Sequence, residues 1–340
     1  MTIILDKLTI GYRTGTTVSA VAKDICGEIR GGEMTCLLGA NGVGKSTLLR
    51  TLAAFLPKLG GTVSFEGRDI SEFKDSELAR RIAVVLTEKP EISNMTVREL
   101  VALGRSPYTG FWGSYTAADL EIVDKAMAMT GIEELSGRMT DTLSDGERQK
   151  TMIAKAIAQQ TPVIILDEPT AFLDFPSKVE TMRLLHRVSR DTGKTIFLST
   201  HDLELALQMS DTVWLMEKGK EMTVGTPEDL SLDGRLAGFF AGRGISFDAD
   251  TGLFRADEPV VTTVSVCGDD GVRRKMVVKA LKRNGIGTKK YGMVTGESPH
   301  ADVEIDIKSD CFAVRHAAGD TAVGTIRELI AALQALRLCR

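Results

Sequence analysis

A glycine-rich segment near the N-terminus contains the first group of residues suited to binding phosphate. Residues 39–47 read GANGVGKST, which matches G-x-x-x-x-G-K-[ST] between an expected strand and an expected helix. Glycines let backbone N–H groups wrap around phosphate oxygens, and the helix start adds positive partial charge. Lys45 is expected to reach the β- and γ-phosphates of a nucleotide, and Ser46 to ligate Mg²⁺. The nucleotide-binding residues predicted in this loop are Gly39, Asn41, Gly42, Gly44, Lys45, Ser46 and Thr47.

An acidic pair follows the apolar run VIIL. Asp167 and Glu168 come at the end of what reads as a buried strand. Asp167 fits a magnesium role, either direct or through another ligand. Glu168 is placed to polarise a water for attack on a γ-phosphate. A simple turn explains a carboxylate pair, but the phosphate loop upstream favours ATP hydrolysis.

A third polar element is LSDGERQ, at residues 143–149. Ser144, with Glu147 three residues later, forms a capping box at the start of a helix. Capping explains the local sequence. It does not explain why this capped helix stands between a phosphate loop and an acidic strand end.

The order of the elements predicts the architecture that positions these residues. Strands alternate with helices up to about residue 210, which predicts a largely parallel sheet covered by helices. The strand-rich first 35 residues predict an antiparallel subdomain beside it. Because the pattern resets around residues 241–246, we predict one domain over 1–243 and a small α/β module over 244–340. In that module, TAVGTIRELIAALQALRL is predicted to be a helix.

The composition narrows the function classes. The 340 residues are 43% hydrophobic and 26% charged, as is ordinary for a globular protein. A net charge of −4 carries no global signature of nucleic-acid binding, so no nucleic-acid partner is expected. Five cysteines without a CxxC pair predict reduced thiols. No apolar run is long enough to span a membrane and the N-terminus has no cationic start, so we expect neither a spanning helix nor a signal peptide.

With these motifs in this order, residues 1 to about 240 resemble ATP-binding cassette (ABC) ATPases. LSDGE resembles the family signature, with Asp145 where glycine is usual, and AFLD at 171–174 resembles the loop that bridges the two sites of the dimer. STHD puts His201 where the family's switch histidine contacts the γ-phosphate, and TIGY puts Tyr12 where an aromatic residue stacks on adenine. The chain departs from the family at Thr87, where glutamine is usual; the threonine hydroxyl could still contact the metal or its water, with a shorter reach.

The resemblance implies a P-loop NTPase fold of the ABC type, with a mixed-sheet core, an antiparallel β subdomain and a helical subdomain. It implies ATP and Mg²⁺ as cofactors and a homodimer, in which the signature of one chain faces the ATP held by the phosphate loop of the other. The implied catalytic residues are Lys45, Glu168 and His201. The implied metal contacts are Ser46, Asp167 and Thr87. The further nucleotide contacts are Tyr12, Ser144, Gly146 and Asp174.

An aromatic cluster, GRSPYTGFWG at 104–113, stands out in a chain with only 5% aromatic residues. Its glycines and proline argue against a helix or a central strand. Either Tyr108, Phe111 and Trp112 pack as a satellite core, or the turn docks a partner. The surrounding sequence resembles the iron–siderophore, haem and cobalamin branch of ABC importers. That branch implies a polytopic permease docking near Thr87 and residues 108–112, an external substrate-binding protein, and a location at the cytoplasmic face of a bacterial inner membrane.

The implied function is therefore to energise import of an iron chelate or cobalamin. The alternative is a soluble ABC ATPase that acts on protein or nucleic-acid assemblies, because residues 244–340 are not needed for transport. That module carries the basic run RRKMVVKALKRNGIGTKK at 273–290. A solvated helix face, contact with phosphate or anionic lipid, and self-association all remain open for this run. We expect a regulatory role for the module from its position after a complete ATPase.

Overall fold

The structure is a computed structural model that describes most of the chain. The described residues are 2–87, 94–110, 113–241, 244–248, 253–256, 260–268, 271–289, 303–317, 319–336 and 338. They form two compact units, the first made mainly of Met1–Phe239 and the second mainly of residues from Phe240 onward. No helix in these ranges is long and apolar enough to cross a membrane.

The first unit contains two sheets and nine α-helices among its described residues. The strands are β1 (Ile3–Thr14), β2 (Thr17–Ile29), β3 (Met34–Gly39), β4 (Gly60–Phe65), β5 (Arg68–Asp69), β6 (Ile82–Val85), β7 (Val163–Asp167), β8 (Thr195–Ser199), β9 (Thr212–Met216) and β10 (Thr223–Gly225). The helices are α1 (Lys45–Leu52), α2 (Asp75–Leu78), α3 (Val97–Ala102), α4 (Ala117–Thr130), α5 (Asp145–Ala158), α6 (Phe175–Thr192), α7 (Leu203–Met209), α8 (Pro227–Leu232) and α9 (Arg235–Phe240).

The larger sheet is mixed, as predicted. Its order is β10-β9-β3-β8-β7-β6, in which every pairing is parallel except that of β10 with β9. Strands β7 and β8 are buried along their whole length, because elements cover both sheet faces, and this explains their uninterrupted apolar runs. The order β3-β8-β7 brings the ends of three strands that are distant in sequence to one edge.

The smaller sheet is the predicted antiparallel subdomain, with the order β2-β1-β4-β5. One hydrophobic core joins it to the larger sheet and includes Ile10 of β1 and Trp214 of β9. The Trp214 ring meets the Phe197 ring edge-on, with 5.4 Å between centroids. A side chain at Gly27 would clash with this indole, since its Cβ would lie 2.5 Å from the ring.

The helical subdomain is α3, α4 and α5. Each helix begins with a capping box: Thr96 with Glu99, Thr116 with Asp119, and Ser144 with Glu147. The capping box predicted from the sequence, that of α5, is thus confirmed. Capping satisfies backbone N–H groups that the first helical turn leaves without partners.

The second unit has a small α/β architecture of its own. A two-stranded sheet pairs β11 (Ile245–Asp248) with β12 (Leu253–Ala256). The main sheet has the order β14-β13-β15-β16-β17, and α10 and α11 pack on it. The bounds are β13 (Thr262–Gly268), α10 (Val272–Arg283), β14 (Ile286–Lys289), β15 (Val303–Ile307), β16 (Phe312–His316), β17 (Gly319–Val323) and α11 (Ile326–Ala335).

The predicted start of the last helix is wrong. Residues 319–323 form β17, paired antiparallel with β16, and helix α11 starts at Ile326. The Thr325 side chain accepts from the backbone N–H of Glu328 and caps the helix there. Residues 321–323, which the sequence pattern assigned to the helix, instead pair with β16 as part of the sheet.

Candidate nucleotide-binding site

The phosphate loop connects β3 to α1, as its motif requires. Gly42 and Gly44 have φ values of 74° and 115°, in the left-handed region that favours glycine. A Cβ on Gly44 would also lie 2.6 Å from Val21. The two glycines thus give the loop a backbone that other residues adopt only with strain.

Lys45 lies within this loop and is only 5% exposed. Its Nζ donates to the carbonyl oxygens of Gly39 at 3.0 Å and Ala40 at 3.3 Å, and lies 4.0 Å from Glu168 Oε1. Burial lowers the pKa of Lys45 below its usual value, against the opposing charges of Glu168 and Asp167. The cation is therefore held where the loop and the acidic pair meet.

Asp167 accepts hydrogen bonds from three hydroxyl groups. Its Oδ1 accepts from Ser46 Oγ at 3.0 Å and from Ser199 Oγ at 2.7 Å. Its backbone carbonyl accepts from Thr87 Oγ1 at 2.7 Å. The structure thus brings together all three residues predicted to contact a metal, with Thr87 bonded to the backbone of Asp167 rather than to its carboxylate.

Glu168 and His201 form a hydrogen-bonded pair. Glu168 Oε1 lies 2.5 Å from His201 Nε2, and the Glu168 backbone N–H donates to Ser199 Oγ at 2.9 Å. Glu168 has a φ of 50°, which is uncommon for a residue other than glycine. The three predicted catalytic residues, Lys45, Glu168 and His201, therefore share one site.

Tyr12 borders the same site. Its hydroxyl forms a hydrogen bond of 3.0 Å with Thr47 Oγ1, and the residue is 46% exposed. The exposed ring beside the phosphate loop is available for stacking on a base.

Ser144, Gly146 and Asp174 lie elsewhere in the unit. In the described part of the chain, none of them hydrogen-bonds to the phosphate loop or to the acidic pair. Asp174 caps α6 by accepting from the Ser177 N–H at 3.1 Å, and a Cβ on Gly146 would lie 3.6 Å from Ser177 Oγ. The start of α5 and the start of α6 therefore adjoin within one chain.

Sequence reasoning missed Ser199. Its hydroxyl donates to Asp167 and accepts from the Glu168 N–H, so it fixes both acidic residues. Ser199 is fully buried at the end of β8. In the sequence, Ser199 is marked only as a hydroxyl residue that ends an apolar strand, two positions before His201.

Tyr108 packs inward. Its hydroxyl donates to the Gln159 carbonyl at 3.0 Å, and the Arg105 guanidinium carbon lies 4.1 Å from the ring centre. Arg105 is buried and donates to Asp119 at 2.9 Å. For Tyr108 the structure favours the core interpretation; Phe111 and Trp112 lie outside the described residues.

Comparison with known proteins places this site in a family. The model of the ABC transporter family matches residues 22–171. An uncharacterised ABC transporter ATP-binding protein of Methanocaldococcus jannaschii is 40% identical over 66% of this chain and 76% of its own length. The ferric enterobactin transport ATP-binding protein FepC of Escherichia coli is 37% identical over 66% of this chain and 82% of its own length. The cobalamin import ATP-binding protein BtuD of Halobacterium salinarum is 33% identical over 82% of this chain and 72% of its own length.

Solved structures of ABC transporter proteins are also similar to this chain. The cbiO1 protein of Clostridium perfringens, part of the ABC transporter complex cbiONQ, matches with a TM-score of 0.60 and 28% identity, over 70% of this chain and 93% of its own. A dimeric post-hydrolysis state of the cassette MJ0796, bound to ADP and Pi, matches with a TM-score of 0.58 and 25% identity, over 66% and 98%.

The fold and site define an ABC-type ATPase domain of the P-loop class, as the sequence predicted. The chain belongs to the ATP-binding proteins of ABC transporters, and it binds and hydrolyses ATP.

Proposed function

We propose that this chain energises the import of a metal chelate, an iron–siderophore, haem or a cobalamin, through a membrane permease. The observation that carries the proposal is that two relatives, matched over 66% and 82% of this chain, are ATP-binding proteins named for ferric enterobactin transport and cobalamin import. A soluble ABC ATPase acting on protein or nucleic-acid assemblies is not favoured, because these relatives are transport proteins. We place the chain at the cytoplasmic face of the inner membrane, bound to the permease and served by an external substrate-binding protein.

The residues present fit ATP with Mg²⁺. A hydroxyl and a carboxylate, Ser46 and Asp167, already share a hydrogen bond, and hard oxygen donors of this kind suit Mg²⁺. Ser46, Asp167 and, through its hydroxyl, Thr87 would hold the ion. When bound, the ion neutralises charge that develops on the phosphates. Tyr12, together with Gly39, Asn41, Gly42, Gly44 and Thr47, would bind the nucleotide.

The chain's own residues would catalyse hydrolysis mainly by position and charge. Lys45 would leave the loop carbonyls to bind phosphate oxygens. Glu168 would accept the proton of the attacking water through its carboxylate. His201, hydrogen-bonded to Glu168, would orient that carboxylate and donate to the γ-phosphate.

A homodimer would complete each site. Ser144 and Gly146 at the start of α5 would face the γ-phosphate held by a second copy of the chain, and Asp174 would lie at the junction. Phe172, within the 171–174 loop, and Phe175, directly after it, are 73% and 67% exposed. Two large exposed apolar rings at this place support contact with a second copy, because exposed apolar patches on proteins often mark interaction sites.

The permease would dock near Thr87 and residues 108–112. Thr87 supports this placement because its hydroxyl bonds to the backbone of Asp167, so that movement of its loop would reach the metal ligands directly. The buried Arg105–Asp119 pair and the packed Tyr108 would hold the base of the aromatic turn rigid while its tip contacts the partner.

The second unit would regulate the ATPase. The alignment with the cobalamin protein covers 82% of this chain, which is more than the first unit spans, so the likeness extends into the second unit. The basic residues of α10 include Lys275, Lys279, Lys282 and Arg283 on its exposed side. We expect deletion of residues 246–340 to alter the dependence of uptake or ATPase activity on cargo level. Unchanged ATPase activity, dimerisation and uptake at every cargo level would contradict the regulatory role.

The transporter proposal is tested by purifying the tagged chain from native membranes in mild detergent and identifying what accompanies it by mass spectrometry. The expected result is one polytopic membrane protein in stoichiometric amount. A Lys45→Ala variant is the matched control, because it should lose ATP hydrolysis yet still bring the permease with it. Reproducible recovery of soluble proteins or nucleic acid alone would overturn the proposal and make the soluble ATPase the better interpretation.

A further inference from the structure

We propose that Asp202 is a positioning residue, which holds the Glu168 turn and the His201 loop in one geometry through Thr170 and Lys178. The inference rests on the catalytic roles proposed above for Glu168 and His201. It concerns residues other than the proposed nucleotide contacts, at a place where three segments of the first unit meet.

Asp202 directly follows His201 and contacts each of these segments. Its Oδ2 accepts from Thr170 Oγ1 at 2.7 Å, and its Oδ1 accepts from Lys178 Nζ at 3.0 Å. Its backbone N–H donates to Thr200 Oγ1 at 3.1 Å. One carboxylate thus joins the loop after β8 to the turn after β7 and to helix α6.

The turn that Asp202 holds is strained at two places. Glu168 and Phe172 have φ values of 50° and 64° and are not glycines. Residues in this region persist only where the surrounding structure imposes the conformation. Thr170 lies midway between them and is 2% exposed, so its bond to Asp202 pins the turn at its centre.

Backbone bonds alone support this turn weakly. The Ala171 N–H donates to the Glu168 carbonyl at 3.0 Å, and the Leu173 N–H donates to the Thr170 carbonyl at 3.4 Å. The second distance is near the limit of a hydrogen bond. Side chains add to this support: Ser199 accepts from the Glu168 N–H at the start of the turn, and the Asp202 carboxylate accepts from Thr170 at its centre.

Lys178 extends the support to the loop that bridges the proposed dimer. It lies in the first turns of α6, directly after the 171–174 loop, and its side chain is 27% exposed against 25% for Asp202. A charged hydrogen bond that is mostly shielded from water is stronger than one on an open surface. Displacement of α6 would therefore pull on the loop that carries His201, and through it on the Glu168–His201 pair.

The test compares variants that remove one or both of the Asp202 contacts; the Thr170 and Lys178 variants also keep about the size of the side chain. Thr170→Val removes the hydroxyl, Lys178→Met removes the cation, and Asp202→Ala removes both contacts. We expect Asp202→Ala to lower kcat between about tenfold and 100-fold, because small misplacements of catalytic groups have effects of that size. ATP affinity, measured by nucleotide titration, should change little, since the phosphate loop and Tyr12 are untouched. Asp202→Asn keeps one acceptor and should restore part of kcat.

Coupling between residues separates positioning from general damage. Lys178→Met in the Asp202→Ala background should lower kcat no further, because the contact is already absent. Asp124→Ala is the matched control: Asp124 accepts from Arg98 at 3.0 and 2.9 Å in the helical subdomain, away from this turn. Its kcat should equal that of the unmodified protein.

The outcomes distinguish this inference from the function on which it rests. If Glu168→Gln hydrolyses ATP normally, the proposed role of Glu168 is wrong. If Glu168→Gln is inactive while Thr170→Val, Lys178→Met and Asp202→Ala all keep normal kcat, the catalytic role stands and the positioning role is wrong. A parallel loss of kcat, ATP affinity and melting temperature would show general destabilisation and would also overturn it. Should Asp202→Ala not fold, the Thr170 and Lys178 variants decide in the same way.

Discussion

Replacing Glu168 with glutamine removes one negative charge from the site and keeps the size of the side chain. Glutamine can still hydrogen-bond to His201, which lies 2.5 Å from the carboxylate, so the pair should stay together. What the variant loses is the ability to accept a proton from the attacking water. We therefore expect hydrolysis to fail while the site keeps its shape.

The size of the effect follows from the role. General base catalysis contributes about 10²- to 10⁴-fold, and each tenfold loss corresponds to about 1.4 kcal/mol in the barrier. The expected fall in kcat therefore corresponds to a loss of about 3 to 6 kcal/mol of transition-state stabilisation.

The affinity for ATP should not fall in this variant. Glu168 Oε1 lies 4.0 Å from Lys45 Nζ. Two unit charges at that distance attract by about 1 kcal/mol in water and about 4 kcal/mol at an effective dielectric constant of 20. The variant releases Lys45 from this attraction and removes a charge that repels phosphate. We expect ATP to bind as tightly as before or more tightly, and the ATP-bound dimer to accumulate.

Phosphate release at saturating ATP and Mg²⁺ measures kcat, nucleotide titration measures affinity, and sedimentation measures the dimer. Glu204→Gln is the matched control, because Glu204 is an exposed glutamate of α7 close in sequence to His201. Normal phosphate release by Glu168→Gln would refute the assignment of the base. Loss of ATP binding together with hydrolysis would instead show that Glu168 supports the structure of the site.

Three further predictions test the fold and the interface. Gly104→Ala should lower the free energy of unfolding in urea by about 1 to 3 kcal/mol, because the new Cβ would lie 2.2 Å from the Lys155 carbonyl oxygen. Gly110→Ala is the matched control and should be nearly neutral, because a Cβ at Gly110 would have no neighbouring atom within 4 Å. Hydrogen bonds, first of all that from the Thr116 hydroxyl, lower the pKa of Asp119 from 3.8 to about 2, so its ionised form stabilises the fold above pH 4 and this stabilisation is lost as the pH falls towards 2. The melting temperature of an Asp119→Asn variant should therefore be below that of the unmodified protein at pH 6, with a gap that narrows below pH 4; a constant gap would contradict the argument. Phe172→Ser should weaken the ATP-dependent dimer in sedimentation without changing ATP affinity of the monomer, and an equally stable dimer would remove this ring from the proposed interface.

Local patterns predicted the elements well where the physical cause is itself local. The capping boxes of α4 and α5 depend on a hydroxyl and an acid three residues apart, so they can be recognised in the sequence and recur in the structure. The start of α11 was misjudged for the opposite reason. Residues 319–323 pair with β16, and a strand at the edge of a sheet is decided by its neighbour.

The phosphate loop can be recognised without a structure, because its glycines, lysine and serine lie within nine residues and their backbone requirements are local. The sequence also determined which polar residues end the apolar strands. Which of those strand ends meet depends on the folded sheet. Strands β3, β8 and β7 are neighbours in the sheet but far apart along the chain, and their pairing depends on covering both faces of the whole sheet. That pairing places Ser199 between Asp167 and Glu168, and it lets Asp202 reach Thr170 and Lys178. No local pattern contains these contacts, because each joins residues that only burial brings together.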